Sequence, residues 1–199
     1  MSEWPKPGDK LFDFARDSHN NACLSRPSWG KYARSYYEGA RGLAEAVWAE
    51  PHIVYLDSAI YPIAFLYRHY IELSLKWLIY LLRSLESNER SIPNNTHDVH
   101  TLWQESRRLL IQHFHPDEVP GLLGMDGCID DLKQHDPTSF AFRYPTDRQG
   151  NNQLHGLQHI NLRVLYETMR RVNTFLDCMS HTVEEHLDFV LEQERDAAE

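Results

Sequence analysis

A set of charged side chains lies in the most apolar part of the chain, residues 59–82. Arg68, Glu72 and Lys76 follow one another at four-residue intervals, and His69 stands next to the first of them. In a helix this spacing puts the three charges on one face, where Glu72 can pair with both bases. Such a face is either a solvated stripe along one edge of the helix or a polar patch that faces a cleft or a partner subunit.

Paired histidines suggest a second kind of chemistry, the binding of a metal ion. Three pairs have ligand-like spacings, namely His97 with His100, His113 with His115, and His155 with His159. No third ligand stands at a signature distance from any pair, and 12 histidines produce such pairs by chance. The three cysteines form no C-x-x-C pair, which argues against a zinc site and a disulfide framework. We therefore expect neither a metal ion nor another cofactor.

The elements that must position these residues are helices, because the apolar residues recur with helical periodicity along nearly the whole chain. We expect a short first helix near Leu11 and a second helix capped by Ser28. The central helix should run over about residues 57–87, with Pro62 in its first turn, where proline is tolerated.

The segment after the central helix is less regular. Thr96 or Asp98 should cap the next helix. We expect only a short helix over residues 129–134, since glycine and proline interrupt the pattern around it. Residues 140–144 have strand character and, together with the polar turn after them and residues 153–157, predict a small β-hairpin.

The C-terminal helix has the clearest pattern. Nine residues spaced three and four apart form one seam, namely Leu162, Leu165, Met169, Val172, Leu176, Met179, Val183, His186 and Val190. This seam is typical of a bundle helix or of one arm of a coiled coil. The predicted fold class is all-α, a bundle of about five helices with a long C-terminal helix and the hairpin as an insertion. We expect one domain over residues 1–199, with its core at 57–192, N-terminal helices over 1–50 packed on it, and a frayed acidic tail at 193–199.

The order of several short motifs resembles that of HEPN domains. These motifs are Glu72 to Lys76, Pro93, Thr96-His97-Asp98, Arg143-Tyr144-Pro145-Thr146-Asp147, and the final helix from about His159. The resemblance covers roughly residues 60–180. It implies a helical bundle that forms a homodimer, in a protein of a toxin or defence system. Many HEPN proteins cut RNA without a metal ion, and others only bind nucleotides or partner proteins such as an antitoxin.

Catalytic HEPN proteins have an arginine separated by a few residues from a histidine. Several pairs here have similar spacing, namely Arg90 with His97, Arg107 and Arg108 with His113, and Arg148 with His155. The last pair lies just before the final helix, which is the placement nearest to that of the family. The implied chemistry is attack by the ribose 2′-hydroxyl on the adjacent phosphate, with histidine moving protons and arginine stabilising charge.

Two hypotheses about function follow. In the first, the protein is a metal-independent ribonuclease or an RNA-binding effector, in which Arg68 and Arg143 hold phosphate. His69 or His155 then moves the proton, and Glu72 orients the bases. In the second, it is a non-catalytic interaction or sensor module that dimerises through the C-terminal helix.

Four basic residues are candidate phosphate ligands, namely Arg68, Lys76, Arg143 and Arg148. Two uses of Arg143 stay open, an ion pair with a helix carboxylate such as Glu72 and phosphate binding in a cleft. Tyr144 is expected to pack against the body of the protein.

The charge balance limits the partners. A net charge of −9 argues against a constitutive surface for duplex nucleic acid. Seven of the acids lie within residues 183–199, so the remainder is nearly balanced and can hold a basic pocket. The N-terminus has no signal-peptide pattern, and the charges of the central helix make it a poor membrane span. We expect a cytoplasmic protein without membrane contact.

Overall fold

Five α-helices make up most of the residues that the computed structural model describes, which are 4–12, 19, 21–24, 28–49, 53–86, 96–154 and 156–196. The helices are α1 (Trp29–Ala49), α2 (Ile53–Glu86), α3 (Val99–His113), α4 (Leu122–His135) and α5 (Leu162–Asp196). A short 3-10 helix, Pro116–Glu118, precedes α4. The expectation of an all-α bundle of about five helices with a long C-terminal helix is confirmed.

Helix α2 is the centre of the bundle, and α1, α3 and α5 all pack against it. Its fully buried apolar side chains include Ile63, Ile71, Leu75, Leu78, Ile79 and Leu82. These positions are spread around the helix rather than along one stripe, which is typical of a helix surrounded by others. Within the described residues, no helix is long and apolar enough to cross a membrane.

Side-chain caps fix where two of the helices begin. The Ser28 hydroxyl accepts a hydrogen bond from the Lys31 backbone N–H at 3.2 Å, immediately before α1. The Asp98 carboxylate accepts one from the His100 backbone N–H at 3.0 Å, before α3. Each bond satisfies an N–H group that has no partner within the first turn of its helix. The caps predicted at Ser28 and Asp98 are confirmed.

The start of α2 differs from the prediction. The helix begins at Ile53 rather than near Asp57, so Pro62 lies in its interior and not in its first turn. Proline has no N–H group, which leaves the Ser58 carbonyl without its usual helical donor. Both residues are exposed, so water can hydrate this carbonyl.

Helix α4 is longer than the short helix expected over residues 129–134. Gly124 and Gly127 lie inside it and adopt helical geometry. Met125 and Ile129 are buried in the bundle core, and this packing outweighs the poor helix propensity of glycine.

The predicted β-hairpin is wrong. Residues 140–144 form a turn, in which the Phe140 carbonyl accepts hydrogen bonds from the backbone N–H groups three and four residues later, at 2.9 and 3.0 Å. Thr146 and Asn152 form an isolated antiparallel bridge, and the described residues contain no strand. The Asp147 carboxylate accepts two backbone N–H groups of the following turn, each at 2.8 Å. Hydrogen bonds to the Asp147 side chain, rather than a ladder of hydrogen bonds between strands, therefore stabilise this turn.

The seam of α5 faces the inside of the same chain. Seam residues between Leu162 and Val183 pack in the core, whereas His186 is exposed. The helix continues to Asp196, so the first part of the expected frayed tail is helical. Most of the seam is thus occupied by the bundle and not by a second copy.

Three expected features lie wholly or partly outside the described residues. Leu11 is in an exposed bend, and the remainder of the expected first helix, residues 13–18, is not among them. The loop at residues 87–95, which includes Pro93, and His155 are also outside.

Two glycines near the start of α4 provide a matched test of the fold. Gly121 has a φ of 97°, and a Cβ atom there would lie 3.2 Å from the Phe175 ring. Gly124 is helical, and its Cβ would meet nothing within 4 Å. Gly121→Ala should lower the free energy of unfolding by about 1–2 kcal/mol, whereas Gly124→Ala should raise it by up to about 1 kcal/mol. Urea unfolding measures both, and equal effects would contradict this account of α4.

Candidate functional site

The charged ladder of α2 is buried. Arg68, Glu72 and Lys76 are 4, 2 and 4% exposed. One Glu72 oxygen, Oε2, accepts a hydrogen bond from Arg68 Nη1 at 2.7 Å, and the other, Oε1, accepts one from Lys76 Nζ at 2.8 Å. The prediction that Glu72 pairs with both bases is confirmed. The ladder is therefore not a solvated stripe but an ion network inside the bundle.

Arg68 also binds two segments outside α2. Its Nη2 atom donates to the His97 carbonyl at 2.5 Å and to the Ser139 hydroxyl. The Ser139 hydroxyl in turn donates to the same carbonyl at 2.8 Å. Arg68 Nε lies 3.3 Å from the Asp136 carboxylate. One guanidinium thus holds together α2, the residues before α3 and the turn after α4.

The turn after α4 carries a strained residue. Ser139 has a φ of 69°, and it is the one described residue other than glycine with a positive φ. Such a conformation costs about 1–3 kcal/mol and persists only where its surroundings enforce it. Asp136 provides part of that enforcement, because its carboxylate accepts the Ala141 backbone N–H at 2.9 Å. Burial raises the pKa of Asp136, and the Ala141 bond and the Arg68 charge offset this only in part.

His97 connects the buried network to the surface. Its Nδ1 atom lies 2.8 Å from Glu72 Oε1, while its side chain is 68% exposed. Burial acts to raise the pKa of Glu72, but the nearby His69 ring and hydrogen bonds with Lys76, Arg68 and His97 together hold that pKa well below its usual range. An ionised carboxylate has no hydrogen to donate, so His97 Nδ1 must be the donor. In the neutral form of this exposed ring, Nε2 is then the nitrogen without a hydrogen.

His69 contacts the other oxygen of the same carboxylate. Its Nδ1 atom lies 3.7 Å from Glu72 Oε2. The His69 ring is held between Tyr36, which meets it edge-on with centroids 4.4 Å apart, and Phe65, which stacks on it at 5.9 Å. We call Arg68, His69, Glu72, Lys76 and His97 the Glu72 cluster. Among the described residues, no group of three or more histidine, cysteine or acidic side chains is arranged to hold a metal ion.

Arg143 lies beside this cluster, and none of the described residues compensates its charge. Its guanidinium carbon is 5.7, 4.9 and 5.5 Å from the ring centroids of Phe65, Phe140 and Tyr144. None of the described residues gives this guanidinium an ion pair or a hydrogen bond, so the alternative pairing with Glu72 is not formed. Phe65 contacts both Arg143 and His69, which places the two on one side of the molecule. Tyr144 is exposed rather than packed as expected.

The remaining predicted residues are not brought to the cluster. Arg148 is exposed in the turn that follows Asp147, and no described contact joins it to Glu72. His155 lies outside the described residues. Arg68 and Lys76 belong to the cluster, but their buried partners make them positioning residues for Glu72 in this arrangement. Direct phosphate binding by these two residues stays a prediction.

Sequence reasoning does not connect three residues of the site with the α2 ladder. His97 is paired in the sequence with Arg90 and with His100 but not with Glu72, and its neighbours Thr96 and Asp98 provide the capping oxygens. The signal that could have identified His97 is its position between two capping residues, where it has no local role of its own. Asp136 and Ser139 reach Arg68 only through the fold, and their local sequence contains no comparable signal.

The comparisons with protein-family models, with curated proteins and with solved structures found no match. The resemblance to HEPN domains therefore stays a prediction.

The ionised state of Glu72 has a measurable consequence for stability. Because folding lowers the pKa of Glu72, its contribution is fully present above the usual value of 4.5 and is lost as pH falls through the folded value. Glu72→Gln resembles the protonated residue and should cost about 3 kcal/mol at neutral pH. The difference in free energy of unfolding between the two proteins should shrink in acid.

The buried Asp136 has a raised pKa and opposes this trend, but it is present in both proteins and cancels in the difference. Glu38→Gln is the matched control, because Glu38 pairs with Arg34 on the exposed surface of α1. Its effect should stay below about 1 kcal/mol. Urea unfolding as a function of pH measures all three proteins, and a constant cost of Glu72→Gln from neutral to acidic pH would contradict the ionised network.

Proposed function

We propose that the Glu72 cluster and Arg143 form the site of a metal-independent ribonuclease, in a HEPN-like protein of a toxin or defence system. One observation carries the proposal: a buried carboxylate orients the ring of the exposed His97 through a 2.8 Å contact. A carboxylate behind a histidine fixes its tautomer and stabilises the imidazolium that forms when it accepts a proton. Glu72 can serve this role because Arg68 and Lys76 keep it ionised.

Two histidines on one carboxylate provide both proton transfers that RNA cleavage requires. One ring accepts the proton of a ribose 2′-hydroxyl, and the oxygen left behind attacks the adjacent phosphorus. The bond to the 5′-oxygen of the next nucleotide breaks, and that oxygen takes a proton from the other ring. The products are a 2′,3′-cyclic phosphate and a 5′-hydroxyl. His69 and His97 supply the acid and the base. Each ring contacts one oxygen of Glu72, so the same carboxylate can stabilise either ring when it is protonated.

Arg143 supplies the charge that the phosphate needs. Negative charge increases on the phosphate oxygens as the 2′-oxygen attacks, and a fixed guanidinium stabilises it. Three aromatic rings hold the Arg143 guanidinium in place and leave its N–H groups without a described partner. The chain is acidic as a whole, but much of the excess lies after residue 182 and not at this site.

His97→Ala should reduce RNA cleavage by the purified protein at least about 100-fold, because the variant loses one proton-transfer group. The assay uses single-stranded RNA in the presence of a chelator and identifies the end groups of the products. His181→Ala is the matched control, since His181 is equally exposed and lies 3.3 Å from Glu185 on α5. Equal losses in the two variants, or a wild-type protein that leaves every RNA intact, would overturn the proposal.

A second candidate function is a non-catalytic interaction or sensor module that pairs with a second copy or with a partner such as an antitoxin. It is supported by Phe189 and Val164, which are large apolar side chains exposed on α5. The seam between Leu162 and Val183 is already buried, so pairing would use the C-terminal part of α5 around Phe189. Sedimentation velocity should then detect a dimer that Phe189→Glu dissociates. A wild-type protein that stays monomeric at high concentration would overturn the homodimer.

A further inference from the structure

An open cavity of about 630 Å³ lies beside Arg143. Three aromatic side chains line it, those of Tyr61, Phe142 and Tyr144. Arg143 is the one charged residue among the described residues of the lining, which therefore provide a positive charge and no acid. This combination favours a ligand that has both a flat apolar surface and a negative group.

The aromatic side chains at this cavity are presented to solvent. Tyr61 and Tyr144 are 49 and 51% exposed, and the nearby Phe140 is exposed as well. The Phe140 and Tyr144 rings lie 6.0 Å apart and both contact the Arg143 guanidinium. A cluster of exposed aromatic side chains is uncommon on a protein surface unless it binds something. The Asp136 carboxylate fixes the turn over residues 140–144 through its bond with the Ala141 N–H. The exposed aromatic rings of this turn therefore form a preformed surface.

An unpaired nucleotide fits both properties of the cavity. Every nucleobase has a face that stacks on tyrosine or phenylalanine, whatever the sequence. The adjoining phosphate pairs with the Arg143 guanidinium, whose N–H groups have no partner among the described residues. The bases of a duplex are already stacked on their neighbours, so their faces are unavailable to the protein.

We propose that this cavity binds one unpaired nucleotide of a single-stranded RNA, with its base on Tyr61 or Tyr144 and its phosphate on Arg143. The inference rests on the proposed function, since Arg143 and His69 both contact the Phe65 ring and the phosphate held by Arg143 would be the reacting phosphate. It adds that the substrate is single-stranded and that recognition is by stacking.

The test measures the affinity for a short fluorescein-labelled 2′-O-methyl RNA, which lacks the 2′-hydroxyl and cannot be cleaved. Tyr144→Leu and, separately, Tyr61→Leu remove an aromatic face at exposed positions, and at least one should weaken binding about tenfold. Tyr32→Leu is the matched control, because Tyr32 is an exposed tyrosine on α1 outside the cavity, and it should leave the affinity unchanged. Fluorescence anisotropy gives the dissociation constants.

Several outcomes would overturn the inference. These are an unchanged affinity in both cavity variants, equal affinity for the same RNA annealed to its complement, and tighter binding of uridine monophosphate than of the RNA, which would indicate a site for free nucleotides. A wild-type protein that cleaves the unmodified RNA while both variants bind normally would overturn the stacking site and leave the proposed ribonuclease standing. Binding that depends on the tyrosines, without cleavage of the unmodified RNA, would support the stacking site and overturn catalysis.

Discussion

The burial of a single carboxylate, that of Glu72, is the constraint on which the arrangement of the site depends. An ionised carboxylate inside a protein is unstable unless charged partners and hydrogen bonds surround it. Arg68 and Lys76 are those partners, one helical turn away on each side. Arg68 must in turn be surrounded, and it is satisfied by the His97 carbonyl and the turn after α4. The position of two loops therefore follows from one charge on α2.

This constraint divides the polar residues of the site into two kinds. Arg68 and Lys76 are buried and act on Glu72, whereas His97 and Arg143 are exposed and each is fixed from behind. The Glu72 carboxylate orients the His97 ring, and aromatic rings hold the Arg143 guanidinium in place. Exposed side chains with a fixed orientation are what acid–base and phosphate chemistry need, because the cost of ordering them is met before a ligand binds.

Features that depend on local sequence could be predicted. The caps at Ser28 and Asp98 and the pairing of Glu72 with both bases act over at most four residues. The missed features depend on the fold. Ser139 meets Arg68 across 71 positions of the chain, and buried packing keeps Gly124 helical against its propensity. The strand-like residues 140–144 form a turn instead, in which the Asp136 carboxylate accepts the Ala141 N–H and the Phe140 carbonyl accepts the Arg143 N–H.

The central claim, that an ionised Glu72 orients His97 as a base, is tested most directly by the protonation of the His97 ring. Long-range proton–nitrogen NMR of the neutral ring distinguishes its two tautomers. We predict that His97 carries its hydrogen on Nδ1 in the wild-type protein, because that atom faces the carboxylate at 2.8 Å. Glu72→Gln should remove this preference. A hydrogen on Nε2 in the wild-type protein, or the same tautomer in both proteins, would contradict the account.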